Sequence, residues 1–213
     1  MKSISYTAET LRSARELGSA TLHEAAGQIG ALPSTIKPVH PRWRVAGPAF
    51  TVATTPRNNV WIHDALDVAP AGSVIVASVG DPNAGYWGDV MSTAASARGI
   101  SGVVLDGGAR DSDDLGRIDI PVFSQGLSIQ GTGKSREPEG ALGVQIRIGA
   151  AMICPGDLVV GDVDGVVVIP AAIAAATVAK GLDRASREDS IRQRLDAGES
   201  TLDIYGWRVG GVG

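Results

Sequence analysis

Apolar residues recur along this chain in short blocks, and the period of the blocks alternates between helical and strand-like. Residues 7–18 place Leu11 and Leu17 on one amphipathic surface, with Gly18 as a stop, and Thr21-Leu-His-Glu-Ala-Ala26 reads as a second short helix capped by Ser19 or Thr21. The proline-rich segment 33–41 reads as an extended connection. Val45 to Thr54 is predicted as a strand bent at Gly47-Pro48, and Asn59 to Val68 as a helix ended by Pro70 and Gly72. Ser73 to Val79 is continuously apolar, which fits a strand covered on both faces. A helix over Met91–Arg98, closed by Gly99, leads to a strand over Gly102–Asp106 and a second buried strand over Pro121–Ser124. Residues 125–140 are loop-like, and Val144 to Ile153 reads as one strand. After a turn at Pro155-Gly156-Asp157 come strands at Leu158–Val160 and Val166–Ile169, joined by a hairpin turn at Asp164-Gly165. Pro170 opens an alanine-rich helix over about 171–196, broken or bent around Gly181, and the chain closes with Tyr205-Gly206-Trp207 and a glycine-rich terminus. With no internal repeat and no linker, the pattern predicts one mixed α/β domain.

Composition narrows the function. The chain has 213 residues, of which 44% are hydrophobic and only 4% aromatic, so its core is built mostly from Val, Ile, Leu and Ala. The net charge is −4 with no basic stripe, which argues against a nucleic-acid partner. The single cysteine, Cys154, rules out an intrachain disulfide and suits a reducing compartment. No apolar run approaches membrane-spanning length, and the start Met1-Lys2-Ser3-Ile4-Ser5 does not resemble a signal peptide. The expectation is a cytoplasmic protein without a membrane partner.

Two stretches carry candidate chemistry. Gly88-Asp89-Val90-Met91 opens a predicted helix, and Gly107-Gly108-Ala109-Arg110-Asp111 closes a predicted strand, with Arg110 lying 22 residues beyond Gly88. One helix and one strand between them can return the chain to its starting point, so both stretches could face one small cavity. Amides at a helix start bind anions, a guanidinium grips carboxylates, and a carboxylate can hold a divalent metal. Together they suit a small anionic keto acid. An Arg-Asp pair alone is common on surfaces; its place after a strand and a glycine pair, where α/β sites form, singles this one out.

Other motifs fail on spacing. Gly131-Thr-Gly-Lys-Ser135 lacks the earlier glycine of a phosphate-binding loop, since Ser128 stands there. Asp162-Val-Asp-Gly165 is followed by an apolar strand where calcium ligands would be needed. His23, His40 and His63 are too scattered for a zinc site, and His63 reads as a packing residue beside Trp61. There is no Gly-x-Ser-x-Gly elbow, and Cys154 reads as buried.

The residues Thr21-Leu-His-Glu-Ala25, Val45-Ala-Gly-Pro-Ala49, Trp87-Gly-Asp89, Arg98-Gly99, Gly107-Gly-Ala-Arg-Asp111, Gln130-Gly-Thr132 with Lys134, Pro155-Gly-Asp157, Asp164-Gly-Val-Val-Val-Ile-Pro170, Arg194-Leu-Asp-Ala-Gly-Glu199 and Asp203-Ile-Tyr-Gly206 resemble a known family over nearly the whole chain. It is the 4-hydroxy-4-methyl-2-oxoglutarate / 4-carboxy-4-hydroxy-2-oxoadipate aldolases of the RraA-like proteins. Its members also decarboxylate oxaloacetate, and it includes a non-enzymatic regulator of ribonuclease E. The resemblance implies an α-β-β-α sandwich of the swivelling β/β/α type, assembled as homotrimers or homohexamers with active sites between subunits. It implies a magnesium or manganese ion on Asp111, substrate contact by Arg110, and binding of the pyruvyl carboxylate by backbone amides of Gly88, Asp89, Val90 and Met91. Asp89 is the candidate for positioning a proton-exchanging water. The resemblance further implies an acidic residue from a neighbouring subunit's C-terminal helix; Glu188 is the candidate and Asp189 the alternative. The segment 171–213 would then serve subunit contacts. One departure is Arg57-Asn58-Asn59, where close aldolases carry Gly-Asp-Asn, which leaves the preference for the substrate's distal half open. The regulator without catalysis is the alternative reading.

Overall fold

A computed structural model describes residues 6–137 and 139–208. The glycine-rich terminus, 209–213, lies outside the described residues. In chain order the elements are α1 (Ala8–Ala25), β1 (Lys37–Pro38), β2 (Val45–Ala53), α2 (Val60–Val68), β3 (Val74–Ser78), β4 (Gly85–Trp87), α3 (Asp89–Ala97), β5 (Gly102–Leu105), β6 (Gly108–Ala109) and α4 (Ser112–Ile118). They continue with β7 (Val122–Ser124), β8 (Ala141–Leu142), β9 (Ile146–Ile148), β10 (Ala151–Ile153), β11 (Leu158–Asp162), β12 (Gly165–Ile169), α5 (Ala174–Asp196) and α6 (Thr201–Ile204).

The main sheet runs β1-β7-β5-β3-β2-β11-β12, with β8 added beside β2. Successive side chains of a strand point to opposite faces, and here both faces are apolar. In β3, Val74 and Val76 enter an inner core while Ile75 and Ala77 enter an outer one. In β12, Val166 and Val168 join that same inner core while Val167 and Ile169 face the other way. The inner core therefore lies between two halves of a curled sheet. Outside the parallel half, Ile62 and Leu66 of α2 and Met91 and Ala95 of α3 complete one outer layer. Outside β11–β12, Ala14 and Leu22 of α1 and Ala174 and Val178 of α5 complete the other. The result is the expected α-β-β-α sandwich. Burying each of these Val, Ile and Leu side chains contributes about 1.5–3 kcal/mol.

Strand β2 joins the two halves. Residues 45–48 pair antiparallel with β11, and residues 49–53 pair parallel with β3. The change of partner falls at Gly47-Pro48-Ala49, where the sequence predicted a bend. Parallel pairs β3–β5 and β5–β7 follow, with the crossovers between them carrying α3 and α4. Among the described residues no helix is long and apolar enough to cross a membrane.

Three expectations need correction. The run Val144–Ile153 is a hairpin, β9 against β10, reversed at Gly149-Ala150. Alternation of Ile146, Ile148 and Ile153 masked the lone glycine as a turn signal. Helix α5 starts at Ala174 and runs unbroken through Gly181, which packs against Leu17 and Leu22 of α1. Cys154 is exposed, since it follows the end of β10 at the turn whose Asp157 carboxylate accepts its N–H at 2.8 Å.

The predicted stop at Gly18 holds: φ 81°, ψ 171° there splits α1 into two helical pieces. The second piece is tied to the end of β11 beneath it. Ser19 donates its N–H to Asp162 Oδ2 at 2.7 Å and its hydroxyl to Oδ1 at 2.6 Å, and Asp164 N–H adds a bond at 3.0 Å. A Cβ at position 18 would sit 2.6 Å from Asp162 Oδ2. Asp162 is buried, so its removal strands a buried N–H. Asp162→Ala is expected to lower unfolding stability by about 2 kcal/mol, read as a lower urea midpoint at unchanged slope; a wild-type midpoint would show that this carboxylate does not hold the kink.

Candidate active site

The site begins with a small parallel pair, β4 against β6, in which Gly85 pairs with Gly108 and Trp87 with Ala109. Parallel strands end at the same edge, so the residues that follow them are brought side by side. After β4 comes Gly88, the N-cap of α3; after β6 come Arg110 and Asp111. Arg110 N–H donates to Trp87 O at 2.9 Å, and Asp89 N–H points to Asp111 Oδ2 at 3.4 Å. Tyr86 and Trp87 are fully buried and fix the platform, with the Trp87 indole N–H donated to Ser92 Oγ at 2.6 Å.

A side chain at position 88 would have to displace its neighbours. A Cβ there would overlap Asp111 Oδ2 and lie 3.2 Å from both Cγ and Nε of Arg110. The Arg110 side chain thus lies across the helix start, with Nε 3.4 Å from Asp111 Oδ2. Asp111 adopts the left-handed conformation, φ 58° and ψ 42°, as the N-cap of α4. Asp is among the few residues that adopt it at modest cost, and such outliers gather at functional sites.

Two cavities open here and share Arg110. One, of about 170 Å³, is lined by Asn59, His63, Tyr86, Gly88, Asp89, Val90, Met91, Arg110 and Lys134. The other, of about 340 Å³, is lined by Arg110, Asp111, Ser112, Leu127, Ser128 and Ile129. In the first, the N–H groups of Val90 and Met91 at the α3 start find no acceptor among the described residues. The Asn59 side chain is buried, with Nδ2 donated to Tyr86 O at 3.0 Å and Oδ1 unpartnered. Burial and the nearby Lys134 ammonium lower the His63 pKa from its ordinary value, which keeps the ring neutral at neutral pH. Two free amides, a guanidinium and an ammonium around one small space favour an anionic ligand.

The loop carrying Lys134 is pinned by Gly133 N–H to Arg57 O at 2.6 Å and by Asn59 N–H to Gly133 O at 3.3 Å. It is the segment 131–135 set aside above as a phosphate loop, and it is followed by loop rather than helix. Arg57 itself has φ 60°, a conformation that glycine adopts most cheaply. Its N–H donates to Tyr86 Oη at 2.7 Å, and its side chain reaches Gln130 Oε1 at 2.7 Å and Asp81 at 3.6 Å.

A family profile described as RraA-like, Aldolase/RraA, matches residues 19–168. The chain belongs to the RraA-like family. It is 36% identical over 157 residues to a protein of Halalkalibacterium halodurans provisionally named 4-hydroxy-4-methyl-2-oxoglutarate aldolase, covering 73% of this chain and 74% of that one. Among solved structures it is similar to an uncharacterized protein of Pseudomonas syringae pv. tomato, with a TM-score of 0.84, 31% identity and 98% of each chain covered. It is also similar to RraAS2 of Streptomyces coelicolor, described as an unusual member of the RNase ES inhibitor RraA family, with a TM-score of 0.76, 28% identity, and 89% of this chain and all of that one covered.

Within this RraA-like chain, Gly88, Asp89, Val90, Met91, Arg110 and Asp111 come together as the sequence suggested. Glu188 and Asp189, expected from a neighbouring subunit, lie apart from them within the chain. They lie on α5, in the layer that packs on α1, where Glu188 pairs with Arg184 at 2.8 Å and Asp189 with Arg192 at 2.5 Å. Sequence reasoning missed Asn59, set His63 aside as packing, and gave Lys134 no role, although all three line the smaller cavity. The backbone at Gly88, φ −148° and ψ −169°, is open to any residue. Gly88→Ala is therefore expected to fold with a near-normal melting temperature and to push the Asp111 carboxylate off the α3 start; a crystal structure of the variant with Asp111 unmoved would refute this packing constraint.

Proposed function

We propose that this chain is a divalent-metal-dependent aldolase that cleaves 4-hydroxy-4-methyl-2-oxoglutarate-type or 4-carboxy-4-hydroxy-2-oxoadipate-type keto acids to pyruvate and a second keto acid, and that it decarboxylates oxaloacetate. The observation that carries the reading is the placement of the α3 amides and the Asp111 carboxylate on either side of Arg110, in two cavities that share that arginine beside β4 and β6. The 36% identity to the provisionally named aldolase supports the same reaction class.

The residues fit a cation that retains most of its water. Among the described residues no three His, Cys, Asp or Glu side chains cluster for metal binding, and Asp111 Oδ1 accepts no hydrogen bond from them. One carboxylate with water and substrate oxygens is an ordinary magnesium shell, and manganese shares the preference for oxygen. Asp111 would hold the ion, which when bound supplies Lewis-acid polarisation of the 2-keto oxygen.

The protein's own groups account for the rest. The amides of Val90 and Met91 receive the carboxylate of the pyruvyl end. Asp89, at the first turn of α3, positions a water that takes the proton from the 4-hydroxyl. The carbon–carbon bond then breaks, its electron pair moves into the three-carbon fragment, and that enolate is protonated to pyruvate. Arg110 offers its guanidinium to the developing oxyanion, a contact whose removal in other enzymes costs about 2.7–4 kcal/mol. In oxaloacetate the same enolate forms when carbon dioxide leaves.

The exposed apolar residues Val90, at the smaller cavity, and Leu127 and Ile129, at the larger, border the two cavities. Such a patch beside a polar site suits a covering subunit, and in this reading homotrimers or homohexamers complete the site with Glu188, or Asp189, from a neighbouring α5. The second reading, a regulator of a ribonuclease, draws on the likeness to RraAS2.

Asp111→Ala is expected to abolish magnesium-dependent pyruvate release, measured by coupled lactate dehydrogenase with and without chelator; near-normal turnover would remove the metal assignment. Arg110→Ala is expected to lose at least tenfold in kcat/KM on oxaloacetate, and an unchanged value would take Arg110 out of the reaction. Absence of magnesium-stimulated pyruvate release from every keto acid in the wild-type protein would favour the regulator.

A further inference from the structure

A cavity of about 370 Å³ shares no lining residue with either cavity at the candidate active site. Three arginines line it: Arg15 from α1, and Arg42 and Arg44 from the segment leading into β2. A single carboxylate, Asp119 at the C-terminus of α4, faces them. Trp43 and Ile120 add apolar wall.

The guanidinium donors are only partly used. Arg42 gives Nη2 to Gly116 O at 2.8 Å and to Asp119 Oδ1 at 3.4 Å. Arg44 gives Nη1 to the carbonyls of Arg15 and Glu16, both at 3.3 Å. The Arg15 guanidinium makes no hydrogen bond to the described residues. Asp119 is held in place by the Trp43 indole N–H at 2.7 Å. That bond, with the charges of Arg42 and Arg15, holds its carboxyl below the ordinary carboxylate range. Asp119 also occupies the left-handed conformation, φ 62°.

Three cations against one carboxylate leave the cavity lining with two uncompensated positive charges, in a protein whose net charge is −4. Guanidinium forks match the paired oxygens of phosphate and carboxylate groups. The volume falls in the range of small-molecule sites. We propose that this cavity binds a small anion carrying two or more negative charges on phosphate or carboxylate groups, which takes the place of Asp119 beside Arg42. The proposal stands independently of the aldolase reading.

The test is calorimetric titration of pyrophosphate, and separately of citrate, into the metal-free protein, its Arg110→Ala variant, an Arg15→Ala/Arg44→Ala double variant and Asp119→Asn. Asparagine keeps an oxygen for the Trp43 indole while removing the competing charge. Saturable binding is expected in the wild-type protein and in Arg110→Ala, weakened at least tenfold in the double variant and tightened at least threefold in Asp119→Asn. Preference for pyrophosphate or for citrate identifies which group the arginines read. Circular dichroism establishes that each variant is folded, and single Arg15→Ala and Arg44→Ala variants replace the double one if it is not. Absence of binding of either anion, loss in Arg110→Ala but not in the arginine variants, or unchanged affinity in Asp119→Asn would each overturn the assignment.

Discussion

The site rests on the parallel pairing of two very short strands. β4 and β6 together contain five residues, too few to be stable alone, and they hold because Tyr86, Trp87 and Ala109 are buried in the layer beneath α2 and α3. Parallel pairing directs both chains outward at one edge, so a helix start and an Arg-Asp pair meet. An antiparallel pair of the same residues would send them to opposite ends. Every group assigned to the chemistry depends on this one register, as ligand sites in α/β proteins depend on the edge where strands end. The contact between the Gly88 backbone and the Asp111 carboxylate then sets how close those groups come.

Much of the architecture was legible because three of the sheet's strands are apolar on both faces. Val74 to Ser78, Leu158 to Asp162 and Gly165 to Ile169 stand between two cores, so their runs are continuous rather than alternating. β4 and β6 were not legible, since two or three residues carry no period. α4 was missed for a related reason: Leu115 is its only buried residue, so no apolar stripe marks it. The clustering of Gly88 with Arg110 and Asp111 could be read from the length of chain between them, which suits one helix and one strand. Asn59 and His63 could not, because their helix is also apolar and its buried face conceals which polar residues turn toward the cavity. Glu188, offered from a neighbouring subunit's helix, lies in the opposite layer of its own chain.

Net charge also conceals local organisation. An overall −4 coexists with two separate positive environments, one around Arg110 and Lys134 and one around Arg15, Arg42 and Arg44. They differ in construction. The first adds helix amides and a buried Asn59 to its cations. The second relies on side chains alone, and in each an arginine keeps a carboxylate beside it, Asp111 by Arg110 and Asp119 by Arg42. Amides are rigid and uncharged, so the first can orient a ligand closely. Flexible guanidinium forks are better suited to recognising charge than to directing a reaction.

Arg57 ties together parts of the chain that are distant in sequence. From one strained position it reaches Tyr86 through its backbone, Gln130 through its side chain and the 81 loop through Asp81, while its carbonyl holds Gly133. The rim of the smaller cavity is thereby stitched before any ligand arrives. Ordering loops during association costs conformational freedom, and a rim assembled in advance spares most of that loss. Ligands should accordingly enter an open, preorganised mouth, with exchange governed by diffusion and desolvation rather than by the closing of a flap.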